Sequence, residues 1–282
     1  MILVDLNQVM ISNLMANLGN HQNAAIDENM IRHMVLNSLR SNKVKFENVY
    51  GEMVICADDK NYWRRTTFPY YKAARRKSRE ESELDWNAIF VALNRIREEL
   101  KTFFPYKVIQ IDTAEADDII GTICHMKGTI LNSGEKILIL SSDKDYIQLH
   151  KYANIDQFDP IRKRWIKHSD PEQYLIEHII KGDTGDGVPN ILSNDNCFVV
   201  GERQKPITQK RMTELTGTIT NEQILRNYKR NQMLIDLSYV PDNIKAQVTA
   251  KFEEENTKDR SQLLNYFMTN KLRNLMEHLT EF

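Results

Sequence analysis

The sequence predicts an α/β fold in which helices flank a mostly parallel sheet, with a smaller helical region at the carboxyl terminus. Short apolar runs alternate with amphipathic stretches up to about residue 170, and from there the strand signal fades. The 282 residues, of which 41% are hydrophobic, are enough to bury the core of one large α/β domain with a smaller satellite.

Four short runs are predicted strands, at residues 2–6, 52–57, 107–111 and 136–140. Each run is apolar on both faces, which is typical of strands that are covered on both sides in a parallel sheet. Alternation with helical segments favours right-handed crossovers, and such sheets bind ligands beyond the carboxyl ends of their strands.

Two amphipathic segments between these strands are predicted helices. Apolar side chains recur at helical spacing in residues 27–43 and in residues 85–103. The acidic run at residues 115–118 also has the composition of a helix start.

From residue 171 onward the pattern is helical, with predicted helices at 171–181, 208–215, 221–237, 242–254 and 261–279. Glycine and proline are dense in residues 182–189, which indicates a turn at this junction. We therefore divide the chain into a core at 1–180 and a helical carboxyl-terminal domain at 181–282.

The composition excludes several classes of protein. The longest apolar runs are only a few residues long, whereas a membrane-spanning helix needs about 20. The first residues have no pattern of a secretory signal, so we expect a protein of the cytoplasm. Cys56, Cys124 and Cys197 lack the paired spacing of a disulfide framework or a zinc site and are predicted to be buried thiols.

Six acids stand at the ends of the four predicted strands, namely Asp5, Asp58, Glu115, Asp117, Asp143 and Asp145. The carboxyl ends of parallel strands meet at one rim, where cations relieve the repulsion between carboxylates. Oxygen ligands of this kind favour magnesium or manganese over zinc. Taken alone, Asp5 is explained about as well by a strand-end turn, and the acidic run at residues 115–118 by helix capping.

Two more acids, Asp183 and Asp186, stand among the glycines of residues 182–189. One explanation is a turn made of ordinary turn-forming residues. The other is that both acids reach the same rim, while backbone amides of the turn approach a phosphate. The residues alone leave both explanations open.

Residues 60–79 contain eight basic residues and no acid, although the net charge of the whole chain is only -1. Five aromatic residues are interleaved with them, a composition suited to phosphate contacts and to stacking on unpaired bases. The alternative is a solvated amphipathic helix whose aromatic side chains belong to the core. The excess of positive charge favours nucleic acid binding.

Taken together, these motifs resemble the flap endonuclease and 5′-exonuclease family, and within it a bacteriophage ribonuclease H subfamily. The resemblance covers almost the whole chain. It rests on Asp5, Asp58, Glu115-Ala116-Asp117-Asp118, Ser142-Asp143-Lys144-Asp145 and Gly182-Asp183-Thr184-Gly185-Asp186, with further segments at Tyr62-Trp63-Arg64-Arg65, Tyr70-Tyr71-Lys72 and Gly201-Glu202-Arg203.

The resemblance implies a PIN-like (resolvase-like) sheet and a 5′-3′ nuclease with RNase H and flap endonuclease activity, which removes RNA or DNA from 5′ ends and flaps in replication. It also implies two magnesium ions, for which manganese would substitute. By position, the tighter metal site would consist of Asp5, Asp58, Glu115, Asp117 and Asp143. The second site would consist of Asp145, Asp183 and Asp186, partly through water.

The same resemblance places residues 60–85, approximately, in an arch through which a single-stranded 5′ end passes. Lys72 matches the family's lysine that faces the active site, so it joins the tighter-site acids as a predicted catalytic residue. The predicted nucleic-acid contacts are Arg64, Arg65, Lys72, Arg75, Arg76, Lys77 and Arg79. Because of its like charge, the segment is expected to bury little and to be mobile without DNA.

The resemblance also implies partners and a second binding element. The partners would be DNA and RNA–DNA hybrids with 5′ ends or flaps, together with a single-stranded DNA-binding protein, and the chain would act as a monomer without membrane contact. A helix-turn-helix element that grips the duplex would begin at Gly182. Asn190, where many members carry glycine, and the insertion at residues 192–206 depart from the family pattern.

Two other classes of function remain for comparison. A magnesium-dependent phosphatase or phosphotransferase would carry a second acid two residues after Asp5, where this chain has Asn7. A non-catalytic DNA-binding scaffold would use the same acids to hold a structural ion.

Overall fold

The computed structural model of the chain describes residues 1–18, 27–131 and 134–282, and the side chains at positions 17, 18, 76 and 77 lie outside that description. Within these residues the strands are β1 Ile2–Asp5, β2 Met53–Cys56, β3 Lys107–Ile109, β4 Ile137–Leu140, β5 Ile155–Asp159 and β6 Arg164–Ile166. They form one sheet in the order β3-β2-β1-β4-β5-β6. All neighbouring pairs are parallel except β5 and β6.

The four predicted strands are therefore confirmed, whereas the last two strands were not predicted. β5 carries polar residues that sequence patterns assign to loops, and one of them, Gln157, is only 1% exposed. Its amide donates hydrogen bonds to the carbonyl oxygens of Ser141 at 3.0 Å and Asp143 at 2.6 Å. A buried polar side chain is tolerated here because its hydrogen bonds are satisfied.

The first six helices are α1 Leu6–Leu18, α2 Glu28–Tyr50, α3 Trp63–Thr67, α4 Ala73–Glu80, α5 Trp86–Phe103 and α6 Ala116–Lys127. The predicted helices near 27–43 and 85–103 correspond to α2 and α5. Both begin after an aspartate whose side chain accepts a backbone hydrogen bond, Asp27 from Asn29 and Asp85 from Ala88. These caps satisfy amides that the first helical turn leaves unpaired.

The later helices are α7 Pro171–Lys181, α8 Cys197–Val200, α9 Gln209–Leu215, α10 Glu222–Ile235, α11 Asp242–Glu253, α12 Leu263–Thr269 and α13 Arg273–Met276. The single helix predicted at 261–279 is divided into α12 and α13. Between them Lys271 has a φ of +55°, which a right-handed helix cannot contain.

Apolar side chains cover both faces of the sheet. One face packs against α2, α5 and the carboxyl-terminal α12 and α13, and the other packs against α6 and α11. Phe282 lies fully buried in the first of these clusters. The carboxyl-terminal helices thus complete the core of the sheet, so the division near residue 180 separates two stretches of sequence that share their core.

Two predictions from composition can be compared with these coordinates. No helix in the described ranges is long and apolar enough to cross a membrane. Cys56, Cys124 and Cys197 are buried free thiols, as predicted.

Candidate metal centre

The acids predicted to converge lie at the carboxyl edge of the sheet. Asp5 is the last residue of β1, and Asp58 follows β2 by two positions. Glu115 immediately precedes α6 and Asp117 lies in its first turn, while Asp143 comes after β4. Because β1, β2 and β4 are parallel, these chain segments leave the sheet on the same side.

All of the predicted metal ligands line one cavity of about 390 Å³. They are Asp5, Asp58, Glu115, Asp117, Asp143, Asp145, Asp183 and Asp186, and the cations Lys72 and Arg75 line the same cavity. The convergence expected from the strand ends is therefore present, while the role of each side chain stays a prediction.

Asp5 shows how strongly the cluster concentrates negative charge. Its side chain accepts hydrogen bonds from the hydroxyls of Tyr146 at 3.1 Å and Ser141 at 3.2 Å. Burial, reinforced by the charges of Asp58 and Asp143, nevertheless raises the pKa of Asp5 to about 7. A carboxyl group with such a pKa is fully ionised at neutral pH only if a cation stabilises its charge.

Burial also raises the pKa of four other acids of the cavity. The pKa values of Asp58 and Asp143 are raised, and those of Asp117 and Asp145 lie well above their usual range. The cluster thus holds more negative charge than its own side chains neutralise. A set of carboxylate oxygens with this surplus fits a hard divalent cation.

Glu115 differs from these acids because cations already surround it. Burial alone would raise its pKa, but Lys72 and Arg64 outweigh burial and hold the pKa of Glu115 below its usual range. Its Oε2 accepts from Arg64 at 2.9 Å and from the Tyr71 hydroxyl at 3.0 Å, and Lys72 Nζ donates to Oε1. Glu115 is therefore ionised and fixed in position before a divalent cation binds.

Lys72 lies at the cavity in a strained backbone conformation, with a φ of +56°. Its backbone N–H donates to the Asp186 carbonyl oxygen at 2.7 Å, and its Nζ lies 3.6 Å from Asp186 Oδ2. Burial would lower the pKa of Lys72, but Asp186 and Glu115 raise it, so the ammonium group stays charged. The structure places Lys72 where the sequence predicted it, facing the acids, and its catalytic role stays a prediction.

Residues 182–189 form a tight turn after α7. Gly182 has a φ of +68°, and a Cβ atom there would lie 2.3 Å from the carbonyl oxygen of Val188. Val188 N–H donates to the Asp183 carbonyl oxygen at 2.7 Å, and Asp186 N–H donates to Asp183 Oδ1 at 3.0 Å. This turn holds Asp183 and Asp186 at the cavity, which confirms that both acids reach the rim.

His178 is a residue of the centre that sequence reasoning missed. It lies in the last turn of α7, with Nδ1 3.5 Å from Asp145 Oδ1 and Nε2 3.5 Å from Asp183 Oδ2. The three side chains can present ligand atoms within 4.8 Å of one another. Its position five residues before Asp183, in a helix that leads into the glycine-rich turn, is the signal that could have indicated it.

The prediction that Arg64 contacts nucleic acid is wrong. Its side chain is only 1% exposed and lies among Glu115, Asp117 and Asp118, with Nη2 2.8 Å from Asp118 Oδ1. Its Nε also donates to the Leu234 carbonyl oxygen at 2.8 Å. The acids that neutralise it are distant in sequence, so the count of local charges misled the prediction.

The first half of the basic segment is also better packed than predicted. Trp63, Phe68 and Tyr71 are buried, and the Trp63 indole donates to Asp118 at 3.0 Å. The expectation that this segment buries little is therefore wrong for these residues. For Trp63 and Phe68, assignment of the aromatic side chains to the core was the correct alternative.

Three predicted phosphate contacts keep accessible side chains. Arg65 is exposed and lies over the Tyr62 ring at 5.0 Å, and Arg79 lies over the Phe90 ring at 4.8 Å. Arg75 is 44% exposed and pairs with Asp186 at the mouth of the cavity. The side chains of the other two, Arg76 and Lys77, lie outside the described residues.

The helix-turn-helix element predicted to begin at Gly182 stays a prediction. Gly182 directly follows α7, and α7 packs against α9 through Ile180 and Met212. The insertion at residues 192–206 lies between these helices. Asn190 fastens both ends of it, since its Nδ2 donates to the Lys205 carbonyl oxygen at 2.8 Å and its Oδ1 accepts from Ser193 at 2.9 Å. The departure from glycine at this position therefore has a structural function in this chain.

This sheet, with its acid cluster, is that of a resolvase-like nuclease domain. Residues 1–178 match the family described as 5′-3′ exonuclease, N-terminal resolvase-like domain, and residues 169–282 match T4 RNase H, C terminal. The chain belongs to the 5′-3′ exonuclease family. It is accordingly a 5′-3′ nuclease that acts on nucleic acid, and its acid cluster binds divalent metal ions.

Individual relatives agree with this assignment. The chain is 36% identical to Ribonuclease H of Enterobacteria phage T4, with 99% of this chain and 95% of that protein covered. It is 25% identical to a 5′-3′ exonuclease of Buchnera aphidicola (strain APS), with 76% of this chain and 79% of that protein covered.

Solved structures share the fold. The 5′-exonuclease of phage T5, solved with divalent zinc ions, superposes with a TM-score of 0.60 at 17% identity, covering 90% of this chain and 98% of that chain. The T5 flap endonuclease in a complex with DNA and metal ions gives a TM-score of 0.60 at 18% identity, covering 89% of this chain and 97% of that chain.

Proposed function

We propose that the chain uses two magnesium ions at this cluster to hydrolyse phosphodiester bonds at the 5′ ends and flaps of RNA primers and DNA. The observation that carries the proposal is the set of eight carboxylates around one cavity, beside a basic segment that keeps exposed arginines. Two ions bound there would lower the pKa of a water molecule and stabilise the departing oxygen.

The cluster divides into two groups of ligands. Asp5, Asp58, Glu115, Asp117 and Asp143 would hold one ion, and Asp145, Asp183 and Asp186 would hold the other. The raised pKa values of Asp5, Asp58 and Asp143 support the first group, because they show charge that a cation would stabilise. Manganese satisfies the same oxygen donors and would substitute for magnesium.

Lys72 would contribute to the chemical step through its charge. Its ammonium group contacts Glu115 and lies near Asp186, at the edge of the space where a phosphate would bind. Negative charge that develops on the phosphate would be stabilised there, and a fixed cation is suited to this because it needs no reorganisation. A covalent enzyme intermediate is not required.

The substrate strand would follow the accessible cations of residues 60–85. Arg65 and Arg79 are available for phosphates, and Tyr62 beside Arg65 offers an aromatic ring to a base. We propose that Arg76 and Lys77 extend this path. DNA and RNA–DNA hybrids with 5′ ends or flaps are the expected substrates.

The family resemblance supports two further proposals. The nuclease would act as a monomer in the cytoplasm, which is the host cytoplasm if the protein is viral. A single-stranded DNA-binding protein would assist it. The molar mass of the purified chain, measured by light scattering, tests whether it is a monomer. Cleavage rates with and without the single-stranded DNA-binding protein test whether that protein assists it.

The decisive experiment is a cleavage assay on 5′-labelled flap duplexes and RNA–DNA hybrids, with magnesium, manganese or EDTA. We expect 5′ products with either metal and none with EDTA. A binding scaffold would hold the duplex without cleaving it, and a phosphatase would release inorganic phosphate while leaving internal bonds intact. Either of these results would overturn the proposal.

A further inference from the structure

The imidazole of His178 lies between two carboxylates of the proposed second metal site. Nδ1 faces Asp145 and Nε2 faces Asp183, each at 3.5 Å. The His178 side chain is 14% exposed and lies beside Asp145 and Asp183, two acids that line the cavity. The ring therefore reaches both acids from α7 and not from the sheet.

The ring is held in this place by its own helix and by the turn that follows. The His178 carbonyl oxygen accepts from Gly182 N–H at 2.8 Å, which closes the last turn of α7. On the other side, the Tyr174 ring contacts the imidazole edge-on, with centroids 5.7 Å apart. Because Asp183 is fixed by the Asp186 amide, both sides of the His178–Asp183 contact are positioned by backbone structure.

A separation of 3.5 Å between a ring nitrogen and a carboxylate oxygen is compatible with two ligands of one ion. A charge-assisted hydrogen bond between imidazolium and carboxylate would be about 2.7–2.9 Å long. Two ligand atoms bound at about 2.1 Å to one ion lie about 3.0–3.6 Å apart at angles of 90–120°. The two ring nitrogens point in different directions, so only one of the 3.5 Å separations can join two ligands of one ion, and the other is a contact with the second carboxylate. One ligand atom from each of the three side chains nevertheless lies within 4.8 Å of the others, which leaves room for a single ion.

We propose that His178 is a nitrogen ligand of the second metal ion, together with Asp145 and Asp183. This inference rests on the proposed two-metal function and adds a metal preference at the second site. One ring nitrogen would bind the ion while the other donates its N–H to the facing carboxylate, an arrangement that orients metal-binding histidines. Imidazole nitrogen binds first-row transition-metal ions more strongly than it binds magnesium, so the second position would prefer manganese, cobalt or zinc over magnesium more than an all-oxygen site does.

The direct test is NMR of the ring nitrogens in protein labelled with ¹⁵N-histidine, without nucleic acid. Zinc is a suitable probe because it is diamagnetic and binds imidazole. We expect one ring nitrogen to shift to the position of a metal-bound nitrogen when zinc fills both sites. The signal should be absent in His178→Gln and present in His33→Gln, whose histidine lies on α2 outside the cavity.

A second measurement compares metal affinities by calorimetry. In His178→Gln the preference of the weaker site for manganese over magnesium should fall about tenfold, while the tighter site and the His33→Gln control keep their values. Unchanged preference, or zinc binding without a shifted His178 nitrogen, would overturn the ligand assignment. If the wild-type protein still cleaved with metal in that case, the proposed function would stand. Failure of all metal binding and cleavage would overturn both.

Discussion

The Arg64 guanidinium lies 2.8 Å from the Asp118 carboxylate in the interior of the protein, although one comes from the basic segment and the other from α6. Both side chains are almost fully buried, at 1% and 0% exposure. Asp118 also accepts from the Trp63 indole and from the Glu115 amide at 3.0 and 2.9 Å. This contact fastens the beginning of the basic segment to α6, which carries the proposed metal ligand Asp117 and directly follows the proposed ligand Glu115.

Arg64→Ala should therefore destabilise the fold. Removal of one partner of a buried pair leaves uncompensated charge and costs about 3–5 kcal/mol. Chemical denaturation of the metal-free protein measures this loss. Arg65→Ala is the matched control, because Arg65 is exposed; its stability should stay within about 0.5 kcal/mol while its affinity for single-stranded DNA falls. Equal stability of the two variants would contradict the structural role of Arg64.

Asp143→Asn should abolish cleavage and leave duplex binding largely intact. The substitution removes the charge of a proposed metal ligand at nearly constant volume, whereas binding depends on other residues. Fluorescence anisotropy measures the binding, and gel analysis of the products measures cleavage. Asp186→Asn should instead weaken binding of the second metal ion more than binding of the first. A magnesium titration of cleavage activity would detect this difference. Near-normal turnover of Asp143→Asn at saturating magnesium would remove Asp143 from the site.

Lys72→Ala should slow single-turnover cleavage about tenfold or more, which corresponds to about 1.4 kcal/mol of transition-state stabilisation. Its ammonium group neutralises Glu115 and Asp186, so metal affinity should not fall when this charge is removed. Rapid quench at saturating DNA isolates the chemical step. Arg65→Ala is the comparison variant, and it should lower the affinity for DNA more than it lowers the single-turnover rate. If the two variants cleave at the same single-turnover rate, Lys72 has no catalytic role beyond attracting DNA.

Stability of the metal-free protein should depend on pH through the Asp5 cluster. The pKa of Asp5 is about 7 in the folded state against 3.8 for its ordinary value, so between these values the folded state binds the extra proton. Stability from this group is therefore present below pH 4 and is lost as pH rises through 7.

In EDTA, Asp5→Asn should be more stable than the wild type at pH 8 by about 3 °C or more in Tm, with a smaller difference at pH 5. Magnesium should stabilise the wild type more at pH 8 than at pH 5, because ligand protonation competes with the metal. Differential scanning calorimetry at the two pH values gives both quantities. A wild type that gains stability over Asp5→Asn as pH rises in EDTA would contradict the raised pKa.

Four of the six strands, and the edge of the sheet where the acids collect, could be predicted from the sequence alone. Apolar runs that bury both faces specify central parallel strands, and the acids that follow Ile2–Asp5 and Met53–Cys56 must then leave the sheet on one side. The turn at residues 182–189 was also predictable, because glycine is dense there. At Gly182 only glycine suits the positive φ and the close backbone approach. Strand and turn preferences are local, and the parallel order of the strands brings the acids that follow them into one site.

Which basic side chains remain accessible depends on the tertiary structure. Arg64 and Arg65 are adjacent and chemically identical in the sequence, yet one is buried against Asp118 and the other is exposed, because α3 directs its successive side chains to different surroundings. His178 lies beside Asp145 and Asp183 because of the way α7 packs, and this packing is not visible in the sequence. Coulomb interactions act through space at a few ångströms, so a carboxylate far away in sequence can determine what a cation does, and sequence spacing does not show that distance.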